Sequence, residues 1–296
     1  MIAGVELGGT KTVVAIGTAA GEVAEDIRFP TGGPEETLAR AVDWLAARGA
    51  PARIGIAAFG PVGIARNRET YGKILATPKA GWEEFSITGA LSAAFPAAEL
   101  FLDTDVNAAA LAEARIGAAA GLDDVAYITI GTGIGAGILS GGYLIHGALH
   151  PELGHLKVPR RAGDDFAGVC PFHGDCLEGL ASGPAIAKRW GRPTNQLPAE
   201  DPAWDLQAWY LAHGILALLA IVSPLRVIVG GGVSQAEGLH GKINRQLLDL
   251  AAGYFPPLID QPYVVAPKLG QEAGIRGALL IAGGLGNEVK LEKFEC

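Results

Sequence analysis

Apolar residues along this chain come in short runs that stop at glycine, separated by longer stretches with helical spacing. Residues 2–7 (IAGVEL) are largely apolar and break at Gly8-Gly9-Thr10-Lys11, and the run resumes at residues 12–16 (TVVAI). This reads as strand, glycine turn, strand. The pattern recurs at residues 126–130 (AYITI), where the glycine-rich segment Gly131-Thr132-Gly133-Ile134-Gly135-Ala136-Gly137 leads into Ile138-Leu139. Two such hairpins suggest an internal duplication. Further short strands are expected at 53–59, 100–102, 226–229 and 264–267. Helices are expected at 34–48, at 108–117, from Ala181–Ala185 to about Trp190, at 206–222 and at 272–282. The first of these opens on Pro34 with Glu35 and Glu36 in its first turn, where the helix dipole favours them. Residues 191–206 lack periodicity and read as a loop. The nearest thing to a domain boundary lies around 107–123. The apolar stretch 211–222 is too short to span a bilayer and ends at Pro224.

Several breaks in this pattern could carry chemistry, and each has an ordinary alternative. A turn without side chains lets backbone N–H groups meet a phosphate, and Thr10 and Lys11 would add a hydroxyl and a charge. The GxxxxGK[ST] spacing is missing, so this is no Walker loop, and taken alone it could be a plain hairpin turn. The second glycine turn strengthens the phosphate reading, since two turns could grip one polyphosphate. Asp105 falls where a strand gives way to a helix, a common ligand position, but a helix N-cap also sits there. Trp82, beside Gly81, could stack on a sugar or plug the core. The run Gly230-Gly231-Gly232-Val233 after a strand could admit a flat nucleoside or form a tight turn.

The densest chemistry lies in residues 150–184. His155, Cys170, His173 and Cys176 form a set of thiolate and imidazole donors suited to a closed, tetrahedral Zn²⁺ site. Two of the chain's 3 cysteines and two of its 6 histidines make up this set. Glu152 lies three residues before the first of them and Glu178 two after the last. Carboxylates fixed by such a knot suggest a metal that shapes a binding site rather than one that performs chemistry. The third cysteine, Cys296, leaves no disulfide framework, which fits a reducing cytoplasm. The opening MIAGVELGGT shows no signal-peptide pattern. At 296 residues and 49% hydrophobic content, the chain can bury a sizeable core across two domains. A formal net charge of −8 without a basic run argues against nucleic acid or an anionic membrane as partner.

Seven segments together resemble the ROK family of sugar kinases, with the closest likeness to its bacterial fructokinases. They are VELGGTK at 5–11, TDVNAAALAE at 104–113, ITIGTGIGAG at 128–137, HPELGH at 150–155, CPFHGDCLEGLASGPA at 170–185, VGGGV at 229–233 and AGIRGALLIA at 273–282. The resemblance implies an actin-like (ribonuclease-H-like) α/β ATPase fold of two domains with an interdomain cleft. Residues 1–110 would form the first domain, with a closing helix at 272–285 packed back on it, and 111–271 the second, carrying the zinc knot. It also implies that Gly8, Gly9, Thr10, Lys11, Gly131, Thr132 and Gly133 hold the phosphates of ATP. Pro184, Gly230, Gly231, Gly232 and Val233 would surround the nucleoside. Asp105 would be the catalytic base, and Thr104, Asp105, Glu152, His155 and Glu178 the sugar contacts. His155, Cys170, His173 and Cys176 would hold a structural Zn²⁺, and Mg²⁺ would accompany ATP.

Three residues depart from the commoner family pattern: Glu6 for Asp, Thr104 for Asn, and His173 within a cluster that is more often all cysteine. The last two look fructokinase-like. The implied reaction is ATP-dependent phosphorylation of fructose to fructose 6-phosphate by a cytoplasmic homodimer. The alternatives are a kinase for glucose, mannose or N-acetylmannosamine, or a non-catalytic sugar-binding regulator. Relatives of the regulator kind carry an extra N-terminal helix-turn-helix domain, and this chain opens directly on its first hairpin.

Overall fold

A computed structural model describes residues 1–255 and 262–285; Cys296 lies outside the described residues. The chain divides into two compact units. One comprises Met1–Ala112, Gly141–His150 and the chain from Gln271 onward, and the other Glu113–Ser140 and Pro151–Gly270. The segment Gly141–His150 thus groups with the first unit, although it interrupts the sequence of the second.

The first unit is built on a five-stranded sheet in the order β3-β2-β1-β4-β5. Its strands are β1 (Ile2–Leu7), β2 (Lys11–Gly17), β3 (Val23–Pro30), β4 (Arg53–Ala58) and β5 (Glu99–Thr104). β1 and β2 pair antiparallel, with Leu7 opposite Thr12, while β1, β4 and β5 run parallel. Helix α1 (Pro34–Ala46) buries Leu38, Ala41 and Leu45, residues spaced three and four apart. Helix α2 (Ile87–Ala94) is capped by the Ser86 hydroxyl, which accepts from Gly89 N–H at 3.0 Å. Helix α3 (Asp105–Ile116) continues directly from β5. The closing helix α8 (Ala273–Ala282) packs on β1 and β4. That close approach requires Gly55, where any Cβ would overlap the Ala278 carbonyl.

The second unit repeats the plan. Its strands run in the order β10-β9-β6-β7, from β6 (Val125–Ile130), β7 (Ile134–Ser140), β9 (Arg226–Gly230) and β10 (Val264–Val265); the two-residue β8 (Tyr143–Leu144) falls in the segment that groups with the first unit. β6 and β7 form an antiparallel hairpin, and β6, β9 and β10 are parallel. This matches β1 and β2 followed by β4 and β5, in agreement with the duplication read from the glycine hairpins. Helices α4 (Leu177–Ala181), α5 (Gly183–Trp190), α6 (Ala203–Val222) and α7 (Leu239–Ala251) complete the unit.

The structure corrects the sequence reading at several points. α3 starts at Asp105, not after Asn107, and α6 starts at Ala203, inside the expected loop, with the Trp204 indole donating to the Pro198 carbonyl at 2.8 Å. The second glycine segment is a turn only at residues 131–133, because Ile134–Gly137 already belongs to β7. β3, α2 and α7 fall where no element was expected. Among the described residues only α6 is long and apolar enough to cross a membrane by length and composition. It lies against α7 and α4, and Trp204, Tyr210, Leu211, Ile215 and Leu219 are buried.

Candidate active site and metal centre

In the first unit the glycine turn between β1 and β2 is closed by Gly8 N–H donating to the Lys11 carbonyl at 2.9 Å. Thr31 holds it from outside: its hydroxyl donates to the Gly8 carbonyl at 2.8 Å, and its N–H donates to the Thr10 carbonyl at 3.0 Å. Glu6, two residues before Gly8 in β1, points its carboxylate at α8. A Cβ on Gly274 would lie 2.6 Å from the Glu6 carboxyl carbon. Burial raises the Glu6 pKa, while the Lys11 and Arg28 charges and a hydrogen bond from Ile275 N–H pull it back down. Its Oε2 has no partner among the described residues. No salt bridge reaches this carboxylate among the described residues, and burial leaves its pKa raised, which favours the protonated form.

Trp82 is a core plug. It is fully buried, donates its indole N–H to the Gly32 carbonyl at 2.9 Å, and meets Phe59 and Phe85 edge-on at ring distances of 5.0 and 5.9 Å. The sugar-stacking alternative for it falls.

At the junction of β5 and α3 the roles of neighbouring residues separate. The Thr104 hydroxyl accepts from Asn107 N–H at 3.1 Å, three residues ahead, which is the N-cap pattern. Asp105 accepts from the N–H of the next residue, Val106, at 2.9 Å. The cap reading thus belongs to Thr104. Behind them, Asp103 is fully buried. One of its oxygens accepts from Thr104 N–H at 2.8 Å and Asn107 Nδ2 at 2.7 Å, and the other from His146 Nε2 at 2.9 Å. Burial lowers the His146 pKa, and the Asp103 hydrogen bond and charge outweigh it, leaving a net rise. Neither Asp103 nor His146 stood out in the sequence: Asp103 is one acid among many, and its histidine partner lies 43 residues away.

In the second unit the turn at 131–133 gathers the other expected phosphate and nucleoside residues. Gly183 N–H, at the start of α5, donates to the Gly131 carbonyl at 2.8 Å. Pro184 follows in the first turn of α5, which Ser182 caps. Val233 lies against Gly183, and Gly231 abuts the backbone of Ile130. Gly131, Pro184, Gly231 and Val233 are thus brought to one place, with Gly230 and Gly232 on the same chain segment. Glu178, on α4, accepts from Ile134 N–H at 2.9 Å, and a Cβ on Gly133 would lie 2.5 Å from its Oε2. One oxygen of this carboxylate is therefore committed to the glycine turn. Burial, then the Glu178 charge, pushes Glu152 up to about 7.

His155, Cys170, His173 and Cys176 converge as a set, with ligand atoms all within 4.8 Å of one another. His155 Nδ1 lies 3.7 Å from Cys170 Sγ, 3.8 Å from Cys176 Sγ and 3.2 Å from His173 Nδ1. Cys170 Sγ lies 3.7 Å from His173 Nδ1. A tetrahedron with Zn–S of about 2.3 Å and Zn–N of about 2.0–2.1 Å has N···N edges near 3.3 Å and S···N edges near 3.6 Å. The donor set and its spacing fit Zn²⁺. Burial, with Cys170 alongside, pushes the Cys176 thiol up to about 11, so proton release there needs a cation to compensate it.

The surrounding chain holds the knot in place. Gly174 and Cys170 exchange backbone hydrogen bonds at 2.9 and 3.2 Å. Lys157 donates to the His173 carbonyl at 2.7 Å and pairs with Asp175. Asp164, in the intervening loop, receives the Tyr210 hydroxyl and Arg189.

With that geometry in hand, comparison with known proteins gives a consistent result. The model of the ROK family matches residues 2–284. A fructokinase of Pediococcus pentosaceus is 40% identical over 284 residues, covering 95% of this chain and 97% of its own. Among solved structures, a ROK hexokinase from Thermus thermophilus superposes with a TM-score of 0.77 at 30% identity, covering 95% of this chain and 97% of its own. A ROK family glucokinase from Streptomyces griseus, in complex with glucose and AMPPNP, gives 0.71 at 25% identity over 94% of this chain and 97% of its own.

Proposed function

This chain belongs to the ROK family, and from that premise we propose that it is an ATP-dependent fructokinase, phosphorylating the 6-hydroxyl of fructose. The observation that carries the reading is the β5–α3 corner. There the Thr104 hydroxyl makes the N-cap hydrogen bond of α3, so the carboxylate of Asp105 beside it is not the cap. Preference for fructose over other hexoses is supported by 40% identity to a fructokinase, against 30% to the hexokinase and 25% to the glucokinase.

A sugar hydroxyl is a weak nucleophile until it sheds its proton. The carboxylate of Asp105 takes that proton as the sugar oxygen attacks the terminal phosphoryl of ATP. The O–P bond to ADP breaks as the new one forms, and ADP leaves. The protein's remaining work is to position the reactants and spread the phosphoryl charge. The N–H groups of the turns at 8–11 and 131–133 that do not close the turns themselves, together with Lys11, do this. Pro184 and Gly230–Val233 border the nucleoside. Thr104, Glu152, His155 and Glu178 hold sugar hydroxyls. Mg²⁺ entering with ATP supplies further positive charge at the phosphates. His155, Cys170, His173 and Cys176 would hold Zn²⁺, whose four protein ligands fix the loop between Glu152 and Glu178. Cytoplasmic location, a homodimer and the actin-like details of the fold belong to the same reading.

The test is ATP consumption by the purified protein with fructose, glucose, mannose and N-acetylmannosamine. Fructose should give the highest kcat/KM. A higher value for any other sugar replaces the substrate, and sugar binding without turnover of any of them replaces the enzyme reading with a sensor.

A further inference from the structure

Three consecutive carbonyls of the first glycine turn are each fastened by a donor outside it. Thr31 takes those of Gly8 and Thr10, as described above, and Lys79 takes the one between: its Nζ donates to the Gly9 carbonyl at 2.7 Å and to the Thr31 carbonyl at 3.3 Å. The Thr12 hydroxyl lies 2.8 Å from that of Thr31. Since Thr31 spends its proton on Gly8, Thr12 is the donor in that pair. In a trans peptide the C=O and N–H point to opposite sides. Fastening the Gly8 and Gly9 carbonyls therefore turns Gly9 N–H and Thr10 N–H to the other face of the turn. Neither N–H donates to any group among the described residues, and a Cβ on Gly9 would meet nothing within 4 Å, so that face is open.

We propose that Lys79 is a positioning residue for phosphoryl transfer, holding the Gly9–Thr10 peptide so that its N–H faces the phosphate. The inference rests on the reading of this turn as a phosphate turn and extends it to a residue in a distant loop. A cation suits the task better than a neutral donor. Its hydrogen bond to the carbonyl is charge-assisted, and it polarises the peptide so that Thr10 N–H becomes a stronger donor to an anion. The loop that carries Lys79 is well anchored. Trp82 fixes one end in the core, its backbone N–H donates to the Lys79 carbonyl at 3.2 Å, and Lys79 backbone N–H donates to the Thr77 hydroxyl at 3.3 Å.

Calorimetric titration of AMP-PNP with Mg²⁺, and separately of fructose, into wild type, Lys79→Met and Lys79→Arg tests this. Lys79→Met should weaken AMP-PNP by about 10-fold to 10²-fold, the scale of a hydrogen bond to a charged group. Fructose affinity and the melting temperature should stay near wild type, and Lys79→Arg, which keeps charge and donors, should recover most of the loss. AMP-PNP affinity unchanged in Lys79→Met overturns the inference while leaving the phosphate turn intact. Equal weakening of both ligands makes Lys79 a general staple and overturns it too, as does Lys79→Arg binding no better than Lys79→Met. If Lys79→Met does not fold, Lys79→Gln takes its place with the same expectations. A wild type that does not bind AMP-PNP removes the phosphate turn itself and this inference with it.

Discussion

The two glycine hairpins have the same strand order around them and are held by different means. In the first, the carbonyls are fastened by a threonine and a lysine, and a cation, Lys11, ends the turn, its Nζ 3.3 Å from Gln271 Oε1. In the second, a helix start and a carboxylate do the fastening, through Gly183 N–H on Gly131 and Ile134 N–H on Glu178. The first turn is thus open above Gly9, while the second is closed behind Gly133. A duplicated hairpin conserves a backbone path. What each copy can bind depends on residues recruited from elsewhere in its own unit. The sheets diverge in the same way at their parallel edges, where β5 ends in Asp103-Thr104 and leads into Asp105, while its counterpart β10 leads into Ala266-Pro267.

The sharpest break in that comparison is chemical. If only the first unit's corner carries a base, Asp105→Asn should lower kcat by roughly 10²–10⁴ with both ligands still bound. Because the Thr104 hydroxyl caps α3, the substitution should hardly change stability. Steady-state kinetics beside calorimetric binding of fructose and AMP-PNP would check it. Activity within about threefold of wild type would remove Asp105 from the mechanism.

Next in size is the metal knot, which only the second unit carries among the described residues. Cys176→Ser takes away a thiolate from a four-donor set, so zinc bound to the purified protein should fall from one per chain towards none. Fructose affinity should suffer more than AMP-PNP affinity, since Glu152 and Glu178 flank the ligands. Metal analysis of wild type and variant, with both titrations, reads this out, and a fully active wild type free of zinc would refute the structural role.

The same substitution in each turn then tests their difference directly. Gly133→Ala forces a methyl to 2.5 Å from Glu178 Oε2, so the carboxylate must leave Ile134 N–H. This should cost about 1–3 kcal/mol in urea unfolding. Gly9→Ala meets open space and should change stability by less than about 1 kcal/mol. Equal costs at the two positions would mean that the turns are held alike after all.

Much of this was legible in the sequence, and the remainder was hidden for identifiable reasons. The hairpins and the metal set announce themselves because glycine, cysteine and histidine have few ordinary uses at such spacing. β3 (VAEDIRFP) was not legible because it is an edge strand whose middle is charged and exposed. α2 is short and built mostly of small residues, and the spaced apolar residues of α7, Leu239, Ile243 and Leu247, are interrupted by Gly241 near the start. Lys79 and His146 were invisible for a deeper reason. Each is one ordinary polar residue whose meaning comes from a partner far along the chain, Gly9 for one and Asp103 for the other.

That last pair gives the smallest effect and the one with a defined sign. Asp103 is buried, and His146 is its imidazole partner, at 2.9 Å with about a third of the side chain exposed. The pair raises the folded-state pKa of His146 above its ordinary value near 6.5. A group whose pKa is raised by folding binds its proton more tightly in the folded chain. Its contribution is therefore fully present below the unfolded pKa and is lost as pH rises through the folded one. Substituting His146→Gln keeps a hydrogen-bond donor and removes the titration. The stability gap between wild type and His146→Gln should then be widest near pH 6 and shrink steadily towards pH 8.5, as followed by urea unfolding at several pH values. A gap that stays constant across this range would mean that His146 serves Asp103 as a neutral donor. A gap that widens with pH would mean that burial, not Asp103, governs the imidazole.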